Sequence, residues 1–236
     1  MLLEKCVCGE VISKEMKFEL TNNIPCRKCS KCGVLHQEVN LSEEEYYNFY
    51  SERYHLDYQK TLGQINYNDR YEHDCDIARQ RLTKYKPYLT GKRILDVGSS
   101  NGAFVDEARK AGWDAWGVEP SKDICKIETT YGGTLIEQNF LGGEFQNITL
   151  HDVFEHLIDP VKELQEMHRI LPVNGVLILD MPNYFVDCGK HHWRPIEHLW
   201  IFSEEQTCKL VNKNGFRTLA VDKPIPSKYV VYAVKS

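Results

Sequence analysis

The sequence predicts an α/β fold: a mainly parallel sheet with helices on both faces and an antiparallel last strand, preceded by a small cysteine-rich module. Three observations carry that expectation. From Tyr71 onward, strand-length apolar runs alternate with helical segments. The run Arg93-Ile94-Leu95-Asp96-Val97 passes through Gly98-Ser99-Ser100-Asn101-Gly102 into Ala103-Phe104, giving strand, glycine-bracketed turn and helix. Five of the nine cysteines fall in the first 32 residues, whereas Cys75, Cys125, Cys188 and Cys208 are scattered singly like small core residues. A chain of 236 residues holds one such domain and a small appendage.

The module comes first, over residues 1–40. Cys6-Val7-Cys8-Gly9 and Cys26-Arg27-Lys28-Cys29-Ser30-Lys31-Cys32-Gly33 flank 16 residues of sparse apolar content. So short a segment cannot build its own core and needs a staple. Zinc held tetrahedrally by four thiolates is one. Cys29-x-x-Cys32-Gly33 has the spacing of a zinc knuckle, while Cys6 and Cys8 stand one residue too close. The expected ligands are Cys8, Cys29 and Cys32, with either Cys6 or Cys26 as the fourth. Disulfides would require an oxidising compartment. The basic residues here are scattered, so a structural cap is expected rather than a nucleic-acid reader.

Residues 41–70 read as a tyrosine-rich helical lid or linker. Ser42, with Glu45 three residues on, is a capping-box start. Seven of the thirteen tyrosines lie between positions 46 and 71. Such rings pack against a main domain, and one or two are expected to close over its site; aromatic faces also stabilise cations.

The main domain is expected over residues 71–236. Its strands are read at Arg93–Val97, Ala115–Glu119, Thr134–Glu137, Asn147–Val153, Val176–Met181, Phe216–Asp222 and Tyr229–Lys235. The intervening helices are read at 71–87, 103–111, 121–131, from Pro160 to the Pro172–Gly175 turn, and at 203–214, capped by Ser203. A short link containing Lys223-Pro224-Ile225-Pro226 makes the last strand antiparallel to the one before it. Open α/β sheets bind ligands at the carboxyl ends of their strands. Gly98 and Gly102 let the backbone approach a ligand there. Ser100 occupies the place where a dinucleotide loop needs its second glycine, so a pyrophosphate is not the expected guest. Glu119, ending the second strand 23 residues after Asp96, is placed to accept ribose hydroxyls.

These segments together resemble class I S-adenosylmethionine-dependent methyltransferases. The Asp96–Gly102 run is similar to their motif I. Cys-x-x-Cys-Gly, Phe49-Tyr50-Ser51-Glu52-x-Tyr54, Gly117-Val118-Glu119-Pro120-Ser121, Val153-Phe154-Glu155-His156-Leu157, Met181-Pro182-Asn183 and His198-Leu199-x-x-Phe202-Ser203 follow the order of a small bacterial-type family with an N-terminal zinc ribbon. The resemblance implies a Rossmann-like sheet of seven strands and S-adenosylmethionine as cofactor. Its binding set would be Asp96, Gly98, Ser100, Gly102, Glu119 and Pro120, with Asn139 and Phe140 on the adenine side and His151 after strand four. The segment Ile196–Ser203 is also similar to a motif of deoxysugar C-methyltransferases, in which a Glu-His pair lies at the active site.

Methyl transfer from a sulfonium is an in-line displacement that needs alignment and the removal of one proton. Histidine suits the second task near neutral pH. His198 as base with Glu197 orienting it, and His156 beside Glu155, are the expected catalytic groups. His191, His192 and Arg194 are further candidates, Arg194 for a substrate anion. A net charge of −5 argues against an electrostatic nucleic-acid binder. No apolar run reaches the roughly 18 residues of a membrane span, and the N-terminus shows no signal-peptide core. A cytoplasmic enzyme is therefore expected, and the resemblance implies a small polar substrate, of sugar, sugar-nucleotide or capsule/natural-product type. The alternatives are an RNA- or DNA-modifying methyltransferase docking through the ribbon, and a non-catalytic scaffold that binds the same cofactor.

Overall fold

The structure, a computed structural model, describes residues 5–11, 17–19, 25–53, 70–121, 124, 127–194 and 196–236. Its N-terminal strands are β1 (Lys17–Glu19), β2 (Pro25–Lys28) and β3 (Leu35–Gln37), followed by a short helix, α1 (Glu43–Asn48). Ser42 and Glu45 cap α1 reciprocally, satisfying main-chain donors that the helix itself leaves open. The chain continues in a wide π turn over Phe49–Arg53. Of the tyrosine-rich bridge, Tyr54, His55, Tyr58 and Tyr67 lie outside the described residues.

The main domain begins with α2 (Tyr71–Tyr85) and then β4 (Arg93–Val97), α3 (Ala103–Lys110), β5 (Asp114–Glu119) and β6 (Thr130–Gly132). It continues through α4 (Leu135–Gln138), β7 (Asn147–His151), α5 (Pro160–Ile170), β8 (Val176–Pro182), β9 (Trp200–Ile201) and α6 (Glu204–Lys213). The chain closes with β10 (Phe216–Asp222) and β11 (Lys228–Lys235). Seven strands form one sheet in the order β10-β11-β8-β7-β4-β5-β6. All pairs from β8 to β6 are parallel, and β11 is inserted antiparallel between β8 and β10.

Period-two alternation builds a layer on each face. Ile94, Val176, Ile178, Val230 and Tyr232 meet Ala78, Leu82 and Tyr85 of α2 with Phe104, Val105 and Ala108 of α3. Leu95, Val97, Ile148, Leu150, Leu177, Leu179 and Val231 meet Leu164, Met167 and Ile170 of α5 with Leu210 and Val211 of α6. Where strands reach the carboxyl edge, polar residues replace apolar ones on the α2 face. Asp96, Thr149, His151 and Asp180 continue the positions of Ile94 and Ile178, so they gather at one end of the sheet.

Two elements differ from the sequence expectation. The strand read at Thr134–Glu137 is helix α4, capped by Thr134 with Glu137 returning to its main-chain N–H. The edge strand lies earlier, at Thr130–Gly132, inside the region read as a helix over 121–131. A capping box outweighed the weak strand pattern. The second difference is β9, which no sequence signal announced. It pairs with β3 through Leu35↔Ile201 and His36↔Trp200, making a second sheet of order β1-β2-β3-β9. Gln37 adds three bonds, from its N–H to Leu199 O (2.8 Å), from Nε2 to Arg194 O (2.7 Å) and from Ile196 N–H to Oε1 (3.1 Å). The cysteine module is thereby stitched to the segment after β8.

Candidate functional site

A cavity of about 750 Å³ opens at the carboxyl ends of β4, β5 and β7. That volume lies in the range of small-molecule sites. Its first wall is the turn after β4. Gly98 sits at φ +72°, and a Cβ there would stand 2.5 Å from Val153 Cγ2. Only glycine meets both conditions. Ser100 takes φ 51°, so the turn curls back on β5 through Gly98 and Ser99 N–H bonds to Val118 O (2.8 and 3.0 Å). Gly117 allows this approach, since a Cβ on it would meet Ser99 Oγ at 2.4 Å.

Glu119 braces the same turn from β5. Its Oε2 accepts the Ser100 N–H (2.8 Å) and its Oε1 the Ser121 N–H (2.9 Å). Burial pushes its carboxyl up to about 7 despite those two donors. Pro120, Thr134 and Ile136 continue this wall. Asn139 and Phe140, expected on the adenine side, do not line the cavity. Asn139 is the exposed left-handed C-cap of α4, and Phe140 packs on Tyr131 and Phe145. The shift follows from the edge strand's true position, which brings Thr134 and Ile136 there instead.

Asp96 and Gly102 lie outside the cavity lining and support it. Asp96 Oδ1 accepts from Thr149 Oγ1 (2.8 Å) and lies 3.0 Å from His151 Nδ1. His151 lines the cavity, packed between Tyr85 and Phe104, and its Nε2 is buried without a hydrogen-bond partner. Gly102, at φ 78°, is the N-cap of α3.

The opposite wall comes from α2 and α5. Asp74 and Arg81, seven apart on one stripe of α2, both face the cavity. Asp74 accepts from Asn101 Nδ2 (2.8 Å), tying α2 to the glycine turn. Arg81 holds Asp180 Oδ2 through Nε (2.9 Å) and Nη2 (2.6 Å), while Lys228 pairs with Asp152. Lys162 and Glu163 add the α5 side, and burial lifts Glu163 to about 7. Sequence reasoning passed over Asp74, Arg81, Asn101, Lys162 and Glu163; the i, i+7 spacing of Asp74 and Arg81 on the helix before the glycine turn was the available signal.

Tyr46, Tyr47 and Tyr50 cover the cavity from α1 and the π turn. The Tyr46 hydroxyl lies 3.0 Å from both His156 O and Glu197 O. The Tyr50 hydroxyl lies 2.7 Å from His156 Nδ1 and donates to Glu197 O (2.9 Å). His156 lines the cavity, whereas Glu197 and His198 do not. Burial lowers His156 to about 4, against the Glu197 carbonyl that favours its charged form. His198 is buried behind it, the two rings 4.6 Å apart.

The expected Glu197–His198 couple is not what forms. His198 Nδ1 lies 2.8 Å from the Tyr184 hydroxyl, and the Glu197 carboxylate faces Arg194 at 3.9 Å. Glu197 lies in the turn before His198, and its carboxylate is directed to Arg194 and not to its neighbour's ring. His191 and His192 stand in a 3₁₀ turn, Asp187–His192, away from the cavity lining.

The N-terminal sulfurs meet a separate requirement. Ligand atoms of Cys6, Cys8, Cys29 and Cys32 all lie within 4.8 Å of one another, with Cys6–Cys32 at 3.4 Å and Cys8–Cys29 at 3.6 Å. Thiolates around a tetrahedral zinc stand about 3.8 Å apart, so the four fit that ion. Each hairpin closes on a glycine, Gly9 N–H to Cys6 O (2.8 Å) and Gly33 N–H to Cys29 O (3.0 Å). Cys26 is elsewhere, buried among Leu35, Tyr184, Trp193 and Ile201. Two α6 side chains reach the cluster's carbonyls, Gln206 to Cys32 O (3.0 Å) and Lys213 to Cys8 O (3.2 Å).

Residues 67–221 match the family described as "Methyltransferase domain". Among curated proteins, the chain is 20% identical over 123 residues to a "Ubiquinone biosynthesis O-methyltransferase" of Pseudomonas aeruginosa, covering 47% of this chain and 53% of that protein. It is 25% identical over 144 residues to "C-methyltransferase NovU" of Streptomyces niveus, covering 56% and 34% respectively. The chain thus spans about half the length of the first relative and about a third of the second. Among solved structures, a SAM-dependent methyltransferase from Archaeoglobus fulgidus has the same fold, with TM-score 0.60 at 17% identity over 72% of this chain and 100% of that one.

Proposed function

Since the chain belongs to the methyltransferase-domain family, we propose that it transfers the methyl group of S-adenosylmethionine to a small polar acceptor of the sugar or sugar-nucleotide class. The observation that carries this reading is the cavity bounded by the Gly98–Asn101 turn, the buried Glu119 carboxylate and the three tyrosines. A desolvated carboxylate at the cavity edge fits a vicinal diol, and the glycine turn fits a ligand without pyrophosphate. Gly98, Ser100, Glu119 and Pro120 would hold the cofactor, Thr134 and Ile136 would flank its base, and Asp96, Gly102 and His151 would support that wall. Bound S-adenosylmethionine supplies an electrophilic methyl on its sulfonium.

The residues of the chain do the rest. Tyr46, Tyr47 and Tyr50 exclude water and position the acceptor, while Asp74, Asp152, Lys162 and Glu163 offer hydrogen bonds to a hydroxyl-rich molecule. His156 receives the acceptor's proton at Nε2. The Glu197 carbonyl, 2.6 Å from Nδ1, can only accept, which favours the tautomer with its hydrogen on Nδ1. His198 and Tyr184 back the His156 ring. Cys6, Cys8, Cys29 and Cys32 would hold one structural zinc, which fixes β3 and, through it, the 194–201 segment. The sugar class is supported by the polar lining and by the resemblance of Ile196–Ser203 to the deoxysugar motif.

Incubation with methyl-labelled S-adenosylmethionine and panels of nucleotide sugars or RNA, read by mass spectrometry, tests the reading. It predicts label on a small molecule, strongly reduced in His156→Ala while cofactor affinity persists. Label on RNA, or on nothing in either panel, contradicts it.

A further inference from the structure

We propose that Glu155, His156 and His198 form a second metal site, a two-histidine, one-carboxylate set that takes a divalent first-row transition cation at the inner wall of the cavity. The starting point is Glu155. It is fully buried, and neither carboxylate oxygen has a hydrogen-bond partner. A buried carboxyl group without a partner is costly. Among the described residues, the one cationic-capable side chain within ion-pair distance is His156, whose Nε2 lies 3.9 Å from Oε1. That separation is too long for a hydrogen bond. It suits two donors facing a common third body.

The ring orientations agree. His156 Nδ1 lies 2.6 Å from the Glu197 carbonyl, and its Nε2 stands on the side facing Glu155. His198 Nδ1 is held by the Tyr184 hydroxyl at 2.8 Å, and its ring meets that of His156 edge-on. A carbonyl or hydroxyl on the outer nitrogen is the usual support for a metal-binding imidazole. One ligand atom from each of the three residues lies within 4.8 Å of the other two. Donors around a zinc-sized cation stand about 3.3 Å apart, so small side-chain rotations close the set.

The backbone also holds the set in place. Glu155 and His156 share the 3₁₀ turn Phe154–His156 after β7. His198 comes from the segment that β9 and Gln37 anchor to β3. Two imidazoles and one carboxylate favour Zn²⁺ or Fe²⁺ over Mg²⁺ or Ca²⁺, which prefer all-oxygen shells. Because His156 lines the cavity, the set borders the space an acceptor would occupy. With an ion bound, His156 would serve as a ligand and not as the base, and the cation would orient and polarise the acceptor's hydroxyl. That role rests on the transferase reading, whereas ion binding does not.

Loading the whole protein with ¹¹³Cd²⁺ and recording its cadmium resonances needs no variant. The proposal predicts a resonance in the nitrogen/oxygen-ligand range, distinct from any four-thiolate signal of the N-terminal cluster. Glu155→Gln should abolish the first and leave the second, and Cys29→Ser the reverse. A thiolate-type resonance alone, or none in the nitrogen/oxygen range, overturns the proposal. Binding of S-adenosylhomocysteine to the same sample is measured in parallel. Its absence would count against the transferase reading and leave the cadmium result to decide the metal site.

Discussion

Replacing Glu119 separates its two duties, bracing the glycine turn and receiving the cofactor's ribose. In the free protein, Glu119→Ala removes the acceptor for the Ser100 and Ser121 N–H groups. Hydrogen bonds to a charged group are worth about 1.5–3 kcal/mol each. Against that loss stands the burial of the carboxylate, which lifts its pKa from 4.5 to about 7. That rise is net of the two bonds; at about 1.4 kcal/mol per unit, removing the charge returns roughly 3 kcal/mol above pH 7, against the cost of leaving two N–H donors without their acceptor. The two largely offset, so the variant folds with a modest loss of stability. Cofactor affinity has no such offset. Losing the ribose contact costs about 1.5–3 kcal/mol, roughly 10- to 150-fold in Kd.

Glu119→Gln keeps one acceptor for two main-chain donors and should fall between. The sign with pH follows from the raised value. The carboxylate is the ribose-accepting form, so wild-type affinity falls as pH drops through about 7, by roughly tenfold between pH 8 and pH 6. Calorimetric titration of S-adenosylhomocysteine into the three proteins, with thermal melts alongside, measures all of this. Kd values within twofold of one another in folded variants, or an affinity flat across that pH range, would refute the reasoning.

Other consequences can be checked independently. Cys29→Ser should lower hydrogen-exchange protection at 25–37 and also at 194–201, because β3 and β9 pair, while protection at 93–119 and S-adenosylhomocysteine binding persist; unchanged exchange at 194–201 would contradict the stitching. Lys228→Met leaves Asp152 and Asp180 without one of their two cations; Asp152 is partly exposed and Asp180 keeps Arg81, so the loss is that of a charged hydrogen bond, about 1.5–3 kcal/mol, and a denaturant-unfolding free energy within about 0.5 kcal/mol of wild type would count against it. Gly117→Val should weaken cofactor binding at least tenfold, since even a Cβ there would meet Ser99 Oγ at 2.4 Å; wild-type affinity would show that the turn can shift freely.

Legibility in the sequence followed the range of the interactions. The glycine turn and Glu119 were readable because both lie at the ends of strongly apolar strands with a fixed spacing. The seven-stranded sheet followed from alternation and from the short link before the last strand. The edge strand Thr130–Gly132 was misplaced because three half-exposed residues carry no alternation, and the cap at Thr134 was read as strand. That error moved the expected adenine wall to Asn139 and Phe140. Strand β9 has two residues and a partner more than 160 positions away, so nothing local announces it. For the same reason the partner of His198 was mistaken: Tyr184 reaches it through space, while Glu197 is its neighbour only along the chain.

The central claim is that the cavity over the 98–102 turn is built for S-adenosylmethionine and not for a dinucleotide. Calorimetric titration of the unmodified protein at pH 8 with S-adenosylhomocysteine, and separately with NADH, tests this most directly. The account predicts saturable one-to-one binding of S-adenosylhomocysteine and no heat from NADH. Saturable binding of NADH, or no binding of S-adenosylhomocysteine at millimolar concentration, would contradict it.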